Sequence, residues 1–300
     1  MRFPNDPGII RRVKEAPMKI AIASGKGGTG KTTVAANIAS VLAERGENVM
    51  YVDCDVEEPN GHIFLKPEIN ISEDVNTSIP EVNYDLCDFC GKCGEICAYS
   101  GIVVVGEKVL IFPDLCHSSG GCSEVCPTGA ITEVPRRVGV VEEGVSDGIG
   151  FLQGRLDIGR AMSSPIIIRK LKQRIADKAT VIIDAPPGTT CPVIEAIKGS
   201  DYVILVTEPT PFGLHDLKLA IDVTRELELP FGVVINRADI GDDRVIRFCE
   251  DEGIPLLAEI PNERRIAEAY SRGELASRVF PEYADVFNDL YQRLLEEGAK

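Results

Sequence analysis

The stretch "KIAIASGKGGTGKTT", Lys19–Thr33, decides the fold. A short apolar run, Lys19–Ser24, leads into a glycine-rich loop, and a helical pattern runs from Lys31 to Arg45. Within it, "GKGGTGKT" (Gly25–Thr32) fits G-x₄-G-K-[ST], in the strand–loop–helix setting that this motif requires. Glycines let backbone N–H groups close on phosphate oxygens, and the helix start adds a favourable dipole. The expected phosphate loop is Gly25, Lys26, Gly27, Gly28, Thr29, Gly30, Lys31, Thr32 and Thr33. Lys31 is placed on the β- and γ-phosphates and Thr32 on Mg²⁺.

Working outward, "NVMYVDCD" (48–55) reads as a second strand and 165–178 as a helix. "TVIIDAPPG" is a buried strand ending in a loop. Then follow helix 192–198, strand 201–207, helix 214–228, strand 231–236, helix 242–252, strand 254–260 and two closing helices. Apolar strands alternating with amphipathic helices predict an α/β fold with a doubly wound, mostly parallel sheet. Ligands bind at the carboxyl ends of such strands.

Residues 80–135 break that rhythm. They predict a small inserted α+β domain, dividing the chain into 1–79, 80–135 and 136–300. "CDFCGKCGEIC" supplies Cys87, Cys90, Cys93 and Cys97 as C-x₂-C-x₂-C-x₃-C. "CHSSGGCSEVCP" repeats the pattern with Cys116, Cys122 and Cys126, but Ser119 stands where a cysteine belongs. The segment resembles a bacterial-type two-cluster ferredoxin, in which the fourth cysteine of each run serves the other cluster. That resemblance implies a [4Fe–4S] cluster on Cys87, Cys90, Cys93 and Cys126. It implies a second cluster on Cys97, Cys116, Cys122 and whatever stands at 119. The second is expected as [3Fe–4S], as [4Fe–4S] with serinate or water, as a labile cluster, or as lost with Ser119 a turn residue. Zinc is the alternative for the C-x₂-C pairs.

Net charge is −15, so nucleic acid and anionic membrane surfaces are poor nonspecific partners. Ten cysteines with seven in one tight group, no signal-peptide pattern and no membrane-length apolar run point to a cytoplasmic protein. Residues 1–17 read as a leader. The final segment carries Glu282, Asp285, Asp289, Glu296 and Glu297 against Arg293 and Lys300, which predicts no membrane binding. Cys54 and Cys249 read as packing residues.

Lys26, just after the first glycine, gives KGGxGK[ST]. The whole chain from Met18 resembles the MinD/ParA and nitrogenase iron-protein superfamily of P-loop ATPases. The resemblance implies ATP and Mg²⁺ as ligands and a homodimer in which Lys26 reaches the partner's nucleotide. It implies Asp55 as the residue that orients or deprotonates the attacking water, with Asp53 near Mg²⁺. "IIDAPPGTT" (182–190) resembles a switch loop, with Asp184 reaching Mg²⁺ through water and Gly188 sensing the γ-phosphate. Asn236 resembles an adenine-contacting residue. Cys191 matches the offset of a cluster-bridging cysteine in the nitrogenase iron protein, but "CPVIE" holds only half of the C-P-x-C pair of cluster scaffolds. The leading expectation is nucleotide-gated electron transfer to a redox partner. The alternatives are a scaffold that delivers clusters to an accepting protein, and a positioning ATPase with a structural ferredoxin.

Overall fold

The computed structural model describes residues 17–176 and 178–298, so most of the expected leader, 1–16, lies outside it. Seven parallel strands form the body. They are β1 (Lys19–Ala23) and β2 (Val49–Asp53), then β7 (Ile149–Leu156), β8 (Thr180–Asp184), β9 (Tyr202–Thr207), β10 (Phe231–Asn236) and β11 (Leu256–Ile260). Between β2 and β7 lie two long strands, β3 (Glu68–Val82) and β6 (Ile131–Ser146). The sheet order is β11-β10-β9-β1-β8-β2-β7-β6-β3, and β6 and β3 run antiparallel to their neighbours.

Helices cover both faces. On one side, α1 (Lys31–Glu44), α10 (Ala276–Val279) and α11 (Pro281–Gly298) close over Ile20, Ile22, Tyr51, Phe151 and Tyr202. On the other, α5 (Ser164–Lys172), α6 (Cys191–Ile197), α7 (Pro211–Glu226) and α8 (Arg244–Asp251) cover Ala21, Val52, Leu152, Ile183 and Leu205. Burial on both faces is why "YVILVT" and "TVIID" are unbroken apolar runs with every residue inside. Two short helices, α2 (Gly61–Leu65) and α9 (Arg264–Ser271), complete the body. Tyr283, Phe287, Leu290, Tyr291 and Leu294 of α11 are all in the core, so its apolar face is occupied.

The antiparallel extension departs from the expected succession of elements. The second strand is followed not directly by an insert at 80 but by a fifteen-residue strand from Glu68. That strand pairs with β6 from Glu68↔Val145 to Val82↔Ile131. Its sequence, "EINISEDVNTSIPEV", is exposed over the first seven residues and part-buried towards its tip, as an edge strand guarded by carboxylates can be. β6 returns to β7 through Asp147–Gly148, both with positive φ (47° and 82°), the backbone of a two-residue hairpin. Because β7 is parallel to β2, the tips of β3 and β6 project past the sheet's carboxyl edge, the edge that carries the phosphate loop.

A cysteine-bearing head, residues 83–130, caps these tips. It contains α3 (Lys92–Ile96), the hairpin β4 (Ile102–Val104) and β5 (Val109–Ile111), and α4 (Gly121–Glu124). The head repeats itself at an offset of 29 residues. Phe89, Gly91 and Ser100 have positive φ, and so do Ser118, Gly120 and Gly129. Gly94 N donates to Gly91 O as Ser123 N does to Gly120 O, and Leu86 N donates to Asn83 O as Leu115 N does to Phe112 O. Ser119 is therefore the backbone equivalent of Cys90.

Candidate functional site

β1 delivers the glycine loop to the carboxyl edge. Gly25 has no room for a Cβ, which would meet the Asp216 carbonyl. Gly30 sits at φ 98°, and a Cβ there would collide with the Asn236 amide. Asn236 Nδ2 donates to Thr29 O at 2.7 Å, so in this structure it braces the loop. A cavity of about 590 Å³ opens beside it. Of the expected residues it is lined by Gly27, Gly28, Gly30, Lys31, Thr32, Thr33, Asp55 and Asn236. Its far end is apolar and aromatic, with Ile266, Tyr270, Tyr283 and Phe287. Gly25, Lys26, Thr29, Asp53, Asp184 and Gly188 are not part of that lining. The Gly188 N–H is bonded to Ser24 O at 3.0 Å.

Three carboxylates surround one lysine. Asp53 is fully buried and accepts the N–H groups of Asp55 (3.1 Å), Asn60 (3.1 Å) and Gly61 (2.9 Å), which fixes the loop after β2. Burial, then the Asp184 charge, push its pKa up against those hydrogen bonds. Asp184 accepts Tyr51 OH on Oδ2 at 2.9 Å, while its Oδ1 is buried without a hydrogen bond. Burial raises its pKa too, against the favourable Thr32 hydroxyl and Lys31. Lys31 is buried and pushed down by desolvation, opposed by Asp184, Asp55 and Asp53. Asp55 rises to about 6, through burial first and Asp184 next, with Lys31 opposing. An orphaned carboxylate oxygen beside a threonine hydroxyl, with more negative than positive charge around it, fits Mg²⁺, which takes oxygen donors.

Lys26 is held within its own chain: Nζ lies 3.2 Å from Glu208 Oε2, and Glu208 also accepts Arg237 at 2.7 Å. Glu208 and Tyr51 were not foreseen as site residues. Glu208 is an ordinary letter in "VTEPTPF", and only the folded chain brings it to the glycine loop.

In the head, two hollows sort the cysteines. One is lined by Cys87, Cys90, Cys93 and Cys126, with Val82, Val104 and Ile131. The other, about 110 Å³, is lined by Cys97, Cys116, Ser119 and Cys122, with Ser78, Pro80 and Glu133. Gly101 N donates to Cys97 Sγ at 3.2 Å and, 29 residues on, Ala130 N donates to Cys126 Sγ at 3.3 Å. Burial opposes ionisation of both thiols, but hydrogen-bond donors prevail and lower the pKa, backbone N–H groups at Cys97 and the Thr128 hydroxyl with backbone N–H groups at Cys126. Cys93 and Cys122 are raised by burial, Cys122 with smaller contributions from Cys116 and Glu133. Among the described residues no three His, Cys, Asp or Glu side chains converge on a single metal-ion position. The fit to an iron–sulfur group rests on the thiol-lined hollows and their N–H···S donors. His117 stacks on Tyr99, ring centroids 3.5 Å apart.

The remaining cysteines lie apart. Cys54 and Cys249 are buried and their thiols are pushed up, Cys249 to about 11. Cys191 is exposed at the first residue of α6.

A chain of bonds links the two regions. Val56 O accepts Leu156 N (2.8 Å), Val138 O accepts Asp157 N (2.9 Å), and Glu57 Oε1 accepts Ser164 Oγ (2.9 Å). Asp114, two residues before Cys116, accepts Arg160 at 2.5 Å and Arg136 at 2.8 Å.

The model of the CobQ/CobB/MinD/ParA nucleotide binding domain matches residues 20–276. An uncharacterized protein of Methanocaldococcus jannaschii is 30% identical over 276 residues, 90% of this chain and 94% of that one. A protein of Pyrococcus abyssi named iron–sulfur cluster carrier protein is 26% identical over 292 residues, covering 89% of this chain and 83% of that one. The cell division ATPase MinD of Pyrococcus furiosus superposes with a TM-score of 0.59 at 23% identity, over 93% of this chain and 98% of that one. The glycine loop between β1 and α1, the parallel sheet behind it and these matches place the chain in the MinD/ParA-type family of P-loop ATPases.

Proposed function

We propose that the chain is a Mg²⁺-dependent ATPase that dimerises around ATP and couples that cycle to electron transfer through two iron–sulfur clusters in an inserted ferredoxin domain, residues 80–135. The observation that carries this is the shared edge. The cysteine head projects from the same carboxyl edge as the glycine loop, and hydrogen bonds tie its stalk to the loop that follows Asp55.

In this reading the backbone N–H groups of Gly27–Thr33 cradle the phosphates, Lys31 neutralises the β- and γ-oxygens, and the aromatic end of the cavity takes the base. Thr32 and Asp184 would hold Mg²⁺ directly or through water, with Asp53 fixing the loop beside them. Mg²⁺ supplies charge neutralisation on the phosphates. Asp55 orients the attacking water and takes its proton, a task for which a raised pKa suits a carboxylate. Lys26 leaves Glu208 when a second copy docks, and reaches that copy's nucleotide. Cys87, Cys90, Cys93 and Cys126 would hold one [4Fe–4S] cluster. Cys97, Cys116 and Cys122 would hold the second, [4Fe–4S] or [3Fe–4S]. Such clusters supply one-electron redox capacity. Eight carboxylates against Lys92 and Lys108 make residues 80–135 acidic, a surface that steers a basic redox partner in the cytoplasm.

The test is redox titration and stopped-flow oxidation of the reduced protein with an ATP analogue, with ADP and without nucleotide. Potentials or rates should differ; superimposable values in all three states sink the gating. Cluster delivery is the second reading. It is favoured by the carrier name of the Pyrococcus relative and by the exposed Cys191. Transfer of iron and sulfide from this protein to an apo-acceptor, at a rate that depends on ATP, would establish it instead.

A further inference from the structure

The two halves of the head differ at several positions that line their hollows, and two of these bear on the ligand set. In the first, the hollow is lined by Cys90 and, on the strand after it, Val104. In the second, 29 residues on, the equivalents are Ser119 and Glu133, and both line the second hollow. At position 119 a thiol has been lost and at position 133 a carboxylate gained, while the first hollow's own carboxylate, Asp88, gives way to His117 in the second. Resting on the cluster reading above, we propose that the Glu133 carboxylate is the fourth iron ligand of the cluster seated among Cys97, Cys116 and Cys122.

The placement supports it. Glu133 Oε1 accepts a hydrogen bond from Ser123 Oγ at 3.3 Å, on the turn that carries Cys122. A Cβ on Gly120, the residue after Ser119, would lie 3.1 Å from the same oxygen. The carboxylate thus stands over the segment where the missing ligand belongs. Gly120 leaves the approach open; its φ of 72° also favours glycine there.

The chemistry favours the carboxylate over the hydroxyl. A serine binds iron well only as the alkoxide, whereas a carboxylate carries its charge at neutral pH. Exchanging thiolate for carboxylate keeps the ligand charge of the cubane unchanged. It makes one iron harder and distinct from the other three, since oxygen donors suit harder centres than sulfur does.

The experiment uses the full chain purified anaerobically, with ⁵⁷Fe Mössbauer and EPR spectra and iron and sulfide counts for the wild type, Glu133→Gln, Ser119→Ala, and Glu133→Gln with Ser119→Cys. The wild type should hold two four-iron clusters, one with an oxygen-ligated iron. Glu133→Gln should lose about one iron per chain and gain the EPR signal of an oxidised three-iron cluster. Ser119→Ala should match the wild type. Ser119→Cys in the Glu133→Gln background should restore the iron with an all-thiolate spectrum, which also shows that the substituted head still folds. Unchanged spectra in Glu133→Gln, or loss of the iron in Ser119→Ala instead, would overturn the proposal. So would a three-iron cluster already present in the wild type, although the two-cluster reading would stand. A wild-type chain that takes up no iron or sulfide would overturn both.

Discussion

Replacing Asp55 with asparagine should slow hydrolysis and stabilise the fold at the same time. Burial and the neighbouring Asp184 lift Asp55 from its ordinary value of 3.8 to about 6. The folded state therefore binds this proton more tightly than the unfolded chain. The resulting destabilisation is fully present above about pH 6 and vanishes below about pH 4. A shift of roughly 2 units is at most about 3 kcal/mol. Asp55 lines an open cavity and keeps some contact with water, so solvent screening reduces the expectation to about 1–2 kcal/mol. For a chain of this size that is a rise in Tm of about 2–6 °C at pH 8, shrinking to nothing near pH 4. Asparagine keeps an acceptor for the backbone N–H that Asp55 holds, so the substitution removes charge with little else. Activity should move oppositely. A general base of pKa about 6 is about nine-tenths ionised at pH 7 and about one-tenth ionised at pH 5, so wild-type turnover should fall about tenfold between them. In Asp55→Asn the residual rate should be flat over that range. The assays are differential scanning calorimetry of the nucleotide-free protein from pH 4 to 8 and phosphate release from pH 5 to 8. A variant that is less stable than the wild type at pH 8, or a wild-type profile with no acid limb above pH 5, would refute the reasoning.

Lys26→Ala should keep nucleotide binding, as read by calorimetric titration, while ATP-dependent dimerisation and turnover fall at least about tenfold, equivalent to ~1.4 kcal/mol. Unchanged turnover would remove the trans-acting lysine. Gly30→Ala should abolish nucleotide binding and lower stability by about 1–3 kcal/mol, since it forces a side chain to φ 98° against Asn236. Near-normal affinity would show that the loop is looser than drawn. Vesicles of anionic lipid should not cosediment with the protein in the presence of ATP, because the apolar side of α11 lies against the sheet and its acidic residues face outward charge; binding would mean that α11 detaches.

Legibility followed burial. The parallel strands were readable because both of their faces are inside, so hydrophobicity runs on without interruption, as in Tyr202–Thr207. The glycine loop was readable because backbone chemistry fixes its spacing, and the cysteine runs because seven cysteines stand in two closely similar spacings. β3 and the outer part of β6 were missed for the opposite reason. An exposed edge ribbon must be polar to avoid pairing with other chains, so β3 shows little alternation. A signal did exist in "VSDGIGF", where Asp147–Gly148 between apolar residues marks a tight hairpin. The 29-residue repeat was also present in the cysteine positions. Glu208 and Glu133 left no trace in their local sequence: each acquires its neighbours from residues distant along the chain, Lys26 in one case and the Gly120–Ser123 turn in the other.

The geometry also decides how a nucleotide can act on the head. β1, which bears the glycine loop, is four strands from β6, about 19 Å across the sheet at ~4.8 Å per step. The second hollow lies near Ser78 and Pro80, past the level where Gly139 pairs with Leu156 at the sheet's edge. Three residues of ribbon, from Gly139 to Arg136, already add about 10 Å at ~3.3 Å each. The glycine loop and that hollow are thus on the order of 20 Å apart. The first hollow, beside Val82 and Ile131 at the tip, is farther still. Two or more Debye lengths of about 8 Å separate them at physiological salt, and the charge of one phosphate is largely screened over that span. A direct field is therefore the weaker route, and movement along bonded atoms the stronger. The loop after Asp55 holds β7 through Val56 and Leu156, and Asp157 continues to Val138 of the ribbon. Arg160 and Arg136 then grip Asp114, two residues from Cys116. Both arginine links end on the second half of the head. The hollow with serine in place of cysteine is thus the one that a shift of the Asp55 loop reaches first, and the all-cysteine hollow at the tip is the one best placed to face a partner.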